Sequence, residues 1–179
     1  MVAVHIRSDQ IAAHAEVNGV RVPRGLRQRP VDPRLGVPIP AYVRMNADGS
    51  ADFTRVDDEI AQRLARAGRC VLCATDLTST YAFVGGPVQV KNCAFPASSV
   101  GHVECFNFAQ KTCPFLLKSL SEYGTSSSFP RNHARKVPDQ MHLVVVSVDA
   151  VNYHPHAGIF TLDTNIDAGQ VFTFGVPRR

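Results

Sequence analysis

Short apolar runs broken by turn residues dominate this chain, and only a few stretches carry helical spacing. "VAVHI" near the start alternates and predicts a short strand, followed by a short helix over Asp9 to Val17. "AYVRM" and "ADFTRV" flank the turn sequence "NADGS" (Asn46 to Ser50), which together predict a hairpin. Asp57 then opens a helix, "DDEIAQRLARAG", with acids in its first turn, arginines toward its end, and Ile60, Leu64 and Ala67 on one face. Gly68 supplies the stop. "YAFV" and "VQVKN", joined by "GGP", predict a second hairpin, and "GHVECFNFAQKTC" predicts a second helix closed by Pro114. "LKSLSEYGTSSSFPRNHARKVPDQ" is polar and serine-rich and reads as a long loop. Three strand candidates follow: "HLVVVSVDA", "GIFTL" and "QVFTF".

One segment fits neither period. Residues 21–41, "RVPRGLRQRPVDPRLGVPIPA", hold five arginines, five prolines and one aspartate. Proline removes backbone donors and breaks helices, so this is an extended arm lying over the core or over a partner.

The elements predict an α+β fold in one domain spanning 1–179. It comprises an N-terminal segment with the Pro/Arg-rich arm (1–41), a helix–knuckle–hairpin–helix unit (57–117) and a β-rich tail (141–175) that packs on that unit or on the 41–56 hairpin. A length of 179 residues is enough for a sizeable core. With 45% hydrophobic and 19% charged residues the chain is globular rather than disordered. The apolar run at Leu143 to Val148 is far short of a bilayer span, and Arg7, Asp9 and Glu16 break up any secretory h-region, so a cytoplasmic protein is expected. The net charge of +4 permits nucleic-acid binding without arguing for it.

Five cysteines in a reducing compartment are metal ligands or buried thiols before they are disulfides. Cys70, Cys73, His102 and Cys105 have the spacing C-x2-C-x28-H-x2-C. Zinc prefers four sulfur or imidazole ligands in a tetrahedron. A Cys-x-x-Cys turn can offer two sulfurs to one ion, and two residues three apart at a helix start project from one face. Knuckle, hairpin, then two ligands on a helix start is the order of a treble-clef zinc site, here expected to hold one structural zinc per chain. Ala74 stands where the knuckle usually has glycine. Buried thiols in a mixed core are the simpler reading, and an iron–sulfur cluster drawing on Cys93 is a third. Cys93 competes with His102 for the third position. Cys113, eight residues past Cys105 and about 12 Å along a continuous helix, is too far to share the ion.

"RPVDPRLGVPIPAYV", "DGSADF", "RCVLC", "AFVGGP" and "GHVECFNFAQKTCPFL" together resemble a family of small uncharacterised proteins of actinobacterial phages and prophages. That family shows an arm of the sense D-x-R-G-x-P-V-P, then C-x-x-C-G, F-V-x-G-P, H-x-x-C and C-P-F-L. The resemblance spans about residues 30–117. It implies a phage or prophage context, and because the family's extra cysteine falls at Gln89 rather than Cys93, it favours His102 as the third ligand.

Two function classes remain open. One is a non-catalytic zinc-binding protein whose arm meets a host or phage macromolecule. A protein partner is favoured over specific DNA because no recognition helix is apparent. The other is a metal-dependent nuclease of the His-Asn-His type, which needs a catalytic histidine or carboxylate beside the metal. No further histidine lies between Cys73 and His102, and Asn132 and His133 fall in the polar loop. A virion or assembly protein is a third possibility. His142, His154 and His156 form a second histidine group; "YHPH" (Tyr153 to His156) could bind a transition metal, but such a stretch is more often a surface turn.

Overall fold

The computed structural model describes residues 15–53, 55–113, 141–163 and 171–174. In chain order the elements are β1 (Glu16–Val17), β2 (Val20–Arg21), α1 (Asp58–Arg66), β3 (Thr80–Gly85), α2 (Pro87–Lys91), β4 (Ala94–Pro96), β5 (Val100–Gly101), α3 (Val103–Thr112), β6 (Met141–Ser147), β7 (Val151–His154), β8 (Ile159–Leu162) and β9 (Val171–Phe174). Helix and sheet are mixed, as expected. The larger sheet has the order β5-β3-β6-β9 and the smaller one β4-β8-β7, with all pairs antiparallel. Phe83 of β3, Phe95 of β4 and Phe160 of β8 stack between them, with ring centroids 5.0 Å (Phe83–Phe95) and 5.3 Å (Phe83–Phe160) apart. Such offset aromatic packing adds to the burial that drives the fold.

α1 starts where its acids predicted. The Asp57 side chain accepts from Ile60 N at 3.0 Å, and Arg44 pairs with the same carboxylate. Its buried face differs from the predicted one. Ala61 and Ala65 are buried, Ile60 and Leu64 are half-buried, and Ala67 is exposed. Two alanines let the helix approach closely, against the turn at Ala97–Ser99.

The tail packs on the 57–117 unit through backbone ladders. β6 pairs with β3 from Thr80↔Ser147 to Gly85↔His142, and β8 pairs with β4. The fourth tail strand, β7, was not foreseen. It turns into β8 through Gly158 (φ +64) and uses part of the "YHPH" stretch read as surface turn.

The second predicted hairpin does not form as expected. "VQVKN" falls in α2, because Pro87 cannot donate to a ladder but suits a first helical turn, and the Gln89 side chain accepts from Gly86 N at 3.0 Å. The partner of β3 is instead β5, at Ala82↔Gly101 and Phe83↔Val100. Knuckle, antiparallel pair and helix therefore keep the predicted order, with residues 86–99 spliced into the middle.

The 41–56 hairpin reduces to a turn closed by the bridge Met45↔Ala51. Its donors are engaged elsewhere: Ala41 N and Tyr42 N bind the knuckle carbonyls of Leu72 and Val71, and Ala51 N donates to the Asp32 carboxylate at 2.7 Å. The predicted Asp9–Val17 helix lies largely outside the described residues; its end, Glu16–Val17, is strand. Asn18 and Gly19, both with positive φ, make the tight two-residue turn to β2.

The arm lies over the core. Val22, Leu26 and Val37 are buried in the main cluster, and Ile39 joins Val43 and Ala51 in a smaller one. Asp32, fully buried, is satisfied by the backbone N–H groups of Arg34, Leu35 and Ala51.

Candidate metal centre

The knuckle is held on both flanks by backbone. Tyr42 N donates to Val71 O, and Val71 N donates to Val100 O of β5. Inside the turn Ala74 N donates to Cys70 O at 2.8 Å and Cys70 N donates to Thr75 O at 2.9 Å. The tight return requires a left-handed residue, and Ala74 takes it with φ +63. This is the position where glycine is usual, so alanine bears a local strain of about 1 kcal/mol.

His102 and Cys105 come from the N-cap and first turn of α3. The chain thus brings together the four residues that the spacing singled out. The ligand atoms of Cys70, Cys73, His102 and Cys105 all lie within 4.8 Å of one another and could hold a metal ion. The three cysteines are buried and His102 is half-buried. This is the one such group of His, Cys, Asp or Glu among the described residues. Around a tetrahedral zinc, with about 2.3 Å to sulfur and about 2.0 Å to nitrogen, sulfur and nitrogen ligands stand about 3.5 Å apart. Cys73 Sγ lies 3.4 Å from His102 Nδ1. A set of three soft sulfurs and one imidazole suits zinc, and its spacing fits.

The outer contacts orient the donors. His102 Nε2 lies 3.2 Å from the carbonyl oxygen of Asp76. A carbonyl only accepts, so Nε2 carries a proton in either charge state, and Nδ1 is the atom that would give its lone pair to an ion once its own proton is displaced. The Thr75 hydroxyl, 3.0 Å from Cys73 Sγ, donates to that sulfur when it is a thiolate. Among themselves the crowded groups share protons. Hydrogen bonds from Cys105 and then Cys70 hold the Cys73 thiol far below its usual range, against the opposing effect of burial. Hydrogen bonding to Cys70 and Cys73 pushes Cys105 up, and the same two partners lift His102 to about 10. A thiolate facing an imidazolium is an arrangement that a divalent cation displaces, with release of protons. Arg29, half-buried, is pulled down by burial and partly restored by the negative charge of Cys73.

Two glycines that the sequence did not flag admit the sulfurs. A Cβ on Gly101 would stand 2.9 Å from Cys70 Sγ and 3.0 Å from the Phe106 ring. A Cβ on Gly25, in the arm, would stand 2.9 Å from Cys73 Sγ. The arm is therefore a wall of the centre. Cys93 and Cys113 lie outside the cluster. Cys93 follows the C-cap Asn92 of α2 with φ +49, and Cys113 caps α3. His154 Nε2 lies 2.8 Å from the Thr161 hydroxyl, and His142 and His156 join it in no ligand group among the described residues. Asn132 and His133 lie outside the described residues.

No protein-family model, curated protein or solved structure matches the chain. No helix among the described residues is long and apolar enough to cross a membrane.

Proposed function

We propose that Cys70, Cys73, His102 and Cys105 hold one structural zinc ion per chain in a treble-clef-like unit, and that the protein is a non-catalytic binding protein of phage or prophage type. The observation that carries the structural role is the donor set. Four ligand atoms within 4.8 Å of one another, three of them on buried cysteines, would fill the four positions of a tetrahedral zinc and leave none for a reacting water. The ion would join segments far apart in sequence: the knuckle, the start of α3, and through Gly25 the arm. The phage context rests on the resemblance of residues 30–117, and the host or phage macromolecule that the arm would meet follows from that context. A nuclease needs a general base beside the ion. Among the described residues, Glu104 is the one carboxylate lining the hollow at the cluster, without a histidine partner there beyond His102 itself.

Thermal unfolding before and after chelation tests the reading. A structural zinc contributes on the order of 10 kcal/mol of binding free energy to small folds, comparable with the stability of a whole domain. Chelation should abolish the cooperative transition and zinc should restore it. An unchanged transition in stripped protein would refute the structural role. Metal-dependent cleavage of plasmid DNA would favour the nuclease instead.

A further inference from the structure

Between the arm and α3 runs an open groove of about 630 Å³. Arg21, Arg24 and Arg27 line the arm side, and Lys111 lines the helix side. Arg21, Arg24 and Lys111 are exposed. None of these four cations takes part in the ion pairs found among the described residues, which join Arg34–Asp32, Arg44–Asp57, Arg55–Asp52 and Arg69–Asp76. Four cations therefore face one concavity against a single acid, Glu104. The groove continues into a smaller hollow of about 260 Å³ beside the metal cluster, and Arg24 and Glu104 line both.

We propose that this groove binds the phosphate backbone of single-stranded nucleic acid without regard to sequence. Three of the four cations are arginines, whose planar fork matches phosphate oxygens in pairs. Between them the half-buried Val20 and Pro23, backed by the buried Val22 and Phe108, give apolar surface on which sugars and bases can lie with phosphates along the rim. The scale fits too. Glu104, Asn107, Phe108 and Lys111 follow i, i+3, i+4, i+7 on one face of α3, and seven residues span about 10 Å. At about 3.4 Å of axis per phosphate, that is roughly three phosphates of one strand. Unpaired bases can lie on that surface, whereas a duplex keeps its bases stacked within itself, so single strands are favoured. No base-edge reader is in place, so binding is sequence-independent. Glu104 opposes the ligand from the rim.

The inference goes beyond the structural-zinc reading and does not depend on which ion the cluster holds. The test is fluorescence anisotropy of a labelled mixed-sequence 15-mer, as DNA and as RNA, and of the DNA duplex, across a salt series. Zinc content and melting temperature are measured on the same samples, so failure of the groove and failure of the metal assignment are told apart. Both single strands should bind more tightly than the duplex, with the preferred sugar identifying the source. The triple variant Arg21→Gln, Arg24→Gln, Lys111→Gln should lose at least tenfold in affinity at low salt. Its salt slope should fall by about 2, since each lost phosphate contact on a single strand removes about 0.7. A control triple on α1 and α2, Arg63→Gln, Arg66→Gln, Lys91→Gln, should stay within threefold. If the groove triple fails to fold, Glu104→Gln decides alone: removing the opposing charge should tighten binding at least threefold. Absence of wild-type binding, a tighter duplex, an equal loss in both triples, or no gain with Glu104→Gln would overturn the proposal. Displacement of the oligonucleotide by polyglutamate at equal charge concentration would also overturn it, by making the groove a site for acidic peptides.

Discussion

Gly101→Ala tests how closely the fold is built around the sulfurs. Gly101 sits in β5, one residue before His102, with no positive φ to complicate the substitution. A methyl group there would stand 2.9 Å from Cys70 Sγ and 3.0 Å from Phe106 Cε2. An ordinary carbon–sulfur contact needs several tenths of an ångström more. Neither neighbour can yield freely: Phe106 is buried in the core, and Cys70, also buried, is a proposed ligand whose sulfur position is set to within tenths of an ångström. Overpacking of this kind costs about 1–3 kcal/mol. If the strain falls on the metal site, zinc affinity should drop by roughly 5- to 150-fold, since about 1.4 kcal/mol is a factor of ten. Competition with a chromophoric chelator measures that loss, and urea unfolding with saturating zinc measures the remaining cost. Gly25→Ala should act in the same direction through Cys73. If Gly101→Ala binds zinc as tightly as wild type and unfolds at the same urea concentration, the packing derived for the centre is wrong.

Further outcomes follow from single residues. Cys93→Ser and Cys113→Ser should keep the full metal content and lose only packing, by elemental analysis and melting; loss of metal in Cys93→Ser with retention in His102→Ala would reassign the third ligand. Asp32→Ala strands the buried Ala51 N–H and should cost about 2–3 kcal/mol in urea unfolding. Burial alone would raise the Asp32 pKa, but the N–H groups of Ala51, Arg34 and Leu35 outweigh it and the folded value is lowered. Its contribution is therefore present above the unfolded carboxyl pKa of about 4 and is lost as pH falls below it; the gap between wild type and Asp32→Asn should close in acid. Ala74→Gly should be neutral or stabilising, whereas Ala74→Val should destabilise by at least about 1 kcal/mol, because a β-branched residue resists φ +63.

The Cys/His cluster was legible because its signal is local twice over. A Cys-x-x-Cys turn and a His-x-x-Cys helix start each bring two donors together by spacing alone, and only the closure of one pair on the other needed the fold. The helix at Asp57 was legible for the same reason, through its cap and its charges. What failed was non-local. The partner of β3 is β5, about eighteen residues further on in the paired register, and Pro87 diverts the nearer candidate into a helix. The 41–56 hairpin gave up its ladder because Asp32 and the knuckle compete for its backbone groups. Gly25 and Gly101 carried no visible signal, since a glycine needed for close approach looks in sequence like a glycine needed for a turn. The Asn18-Gly19 pair was a readable hairpin signal, and its two positive φ values are those of the tight turn that joins β1 to β2 where a helix was expected up to Val17.

Whether these four residues hold one zinc ion is decided by metal content per chain, measured on untagged native protein and on Cys105→Ser. One zinc per native chain is expected, and little or none in the variant. Native protein carrying no zinc, or carrying iron with visible absorbance, would contradict it.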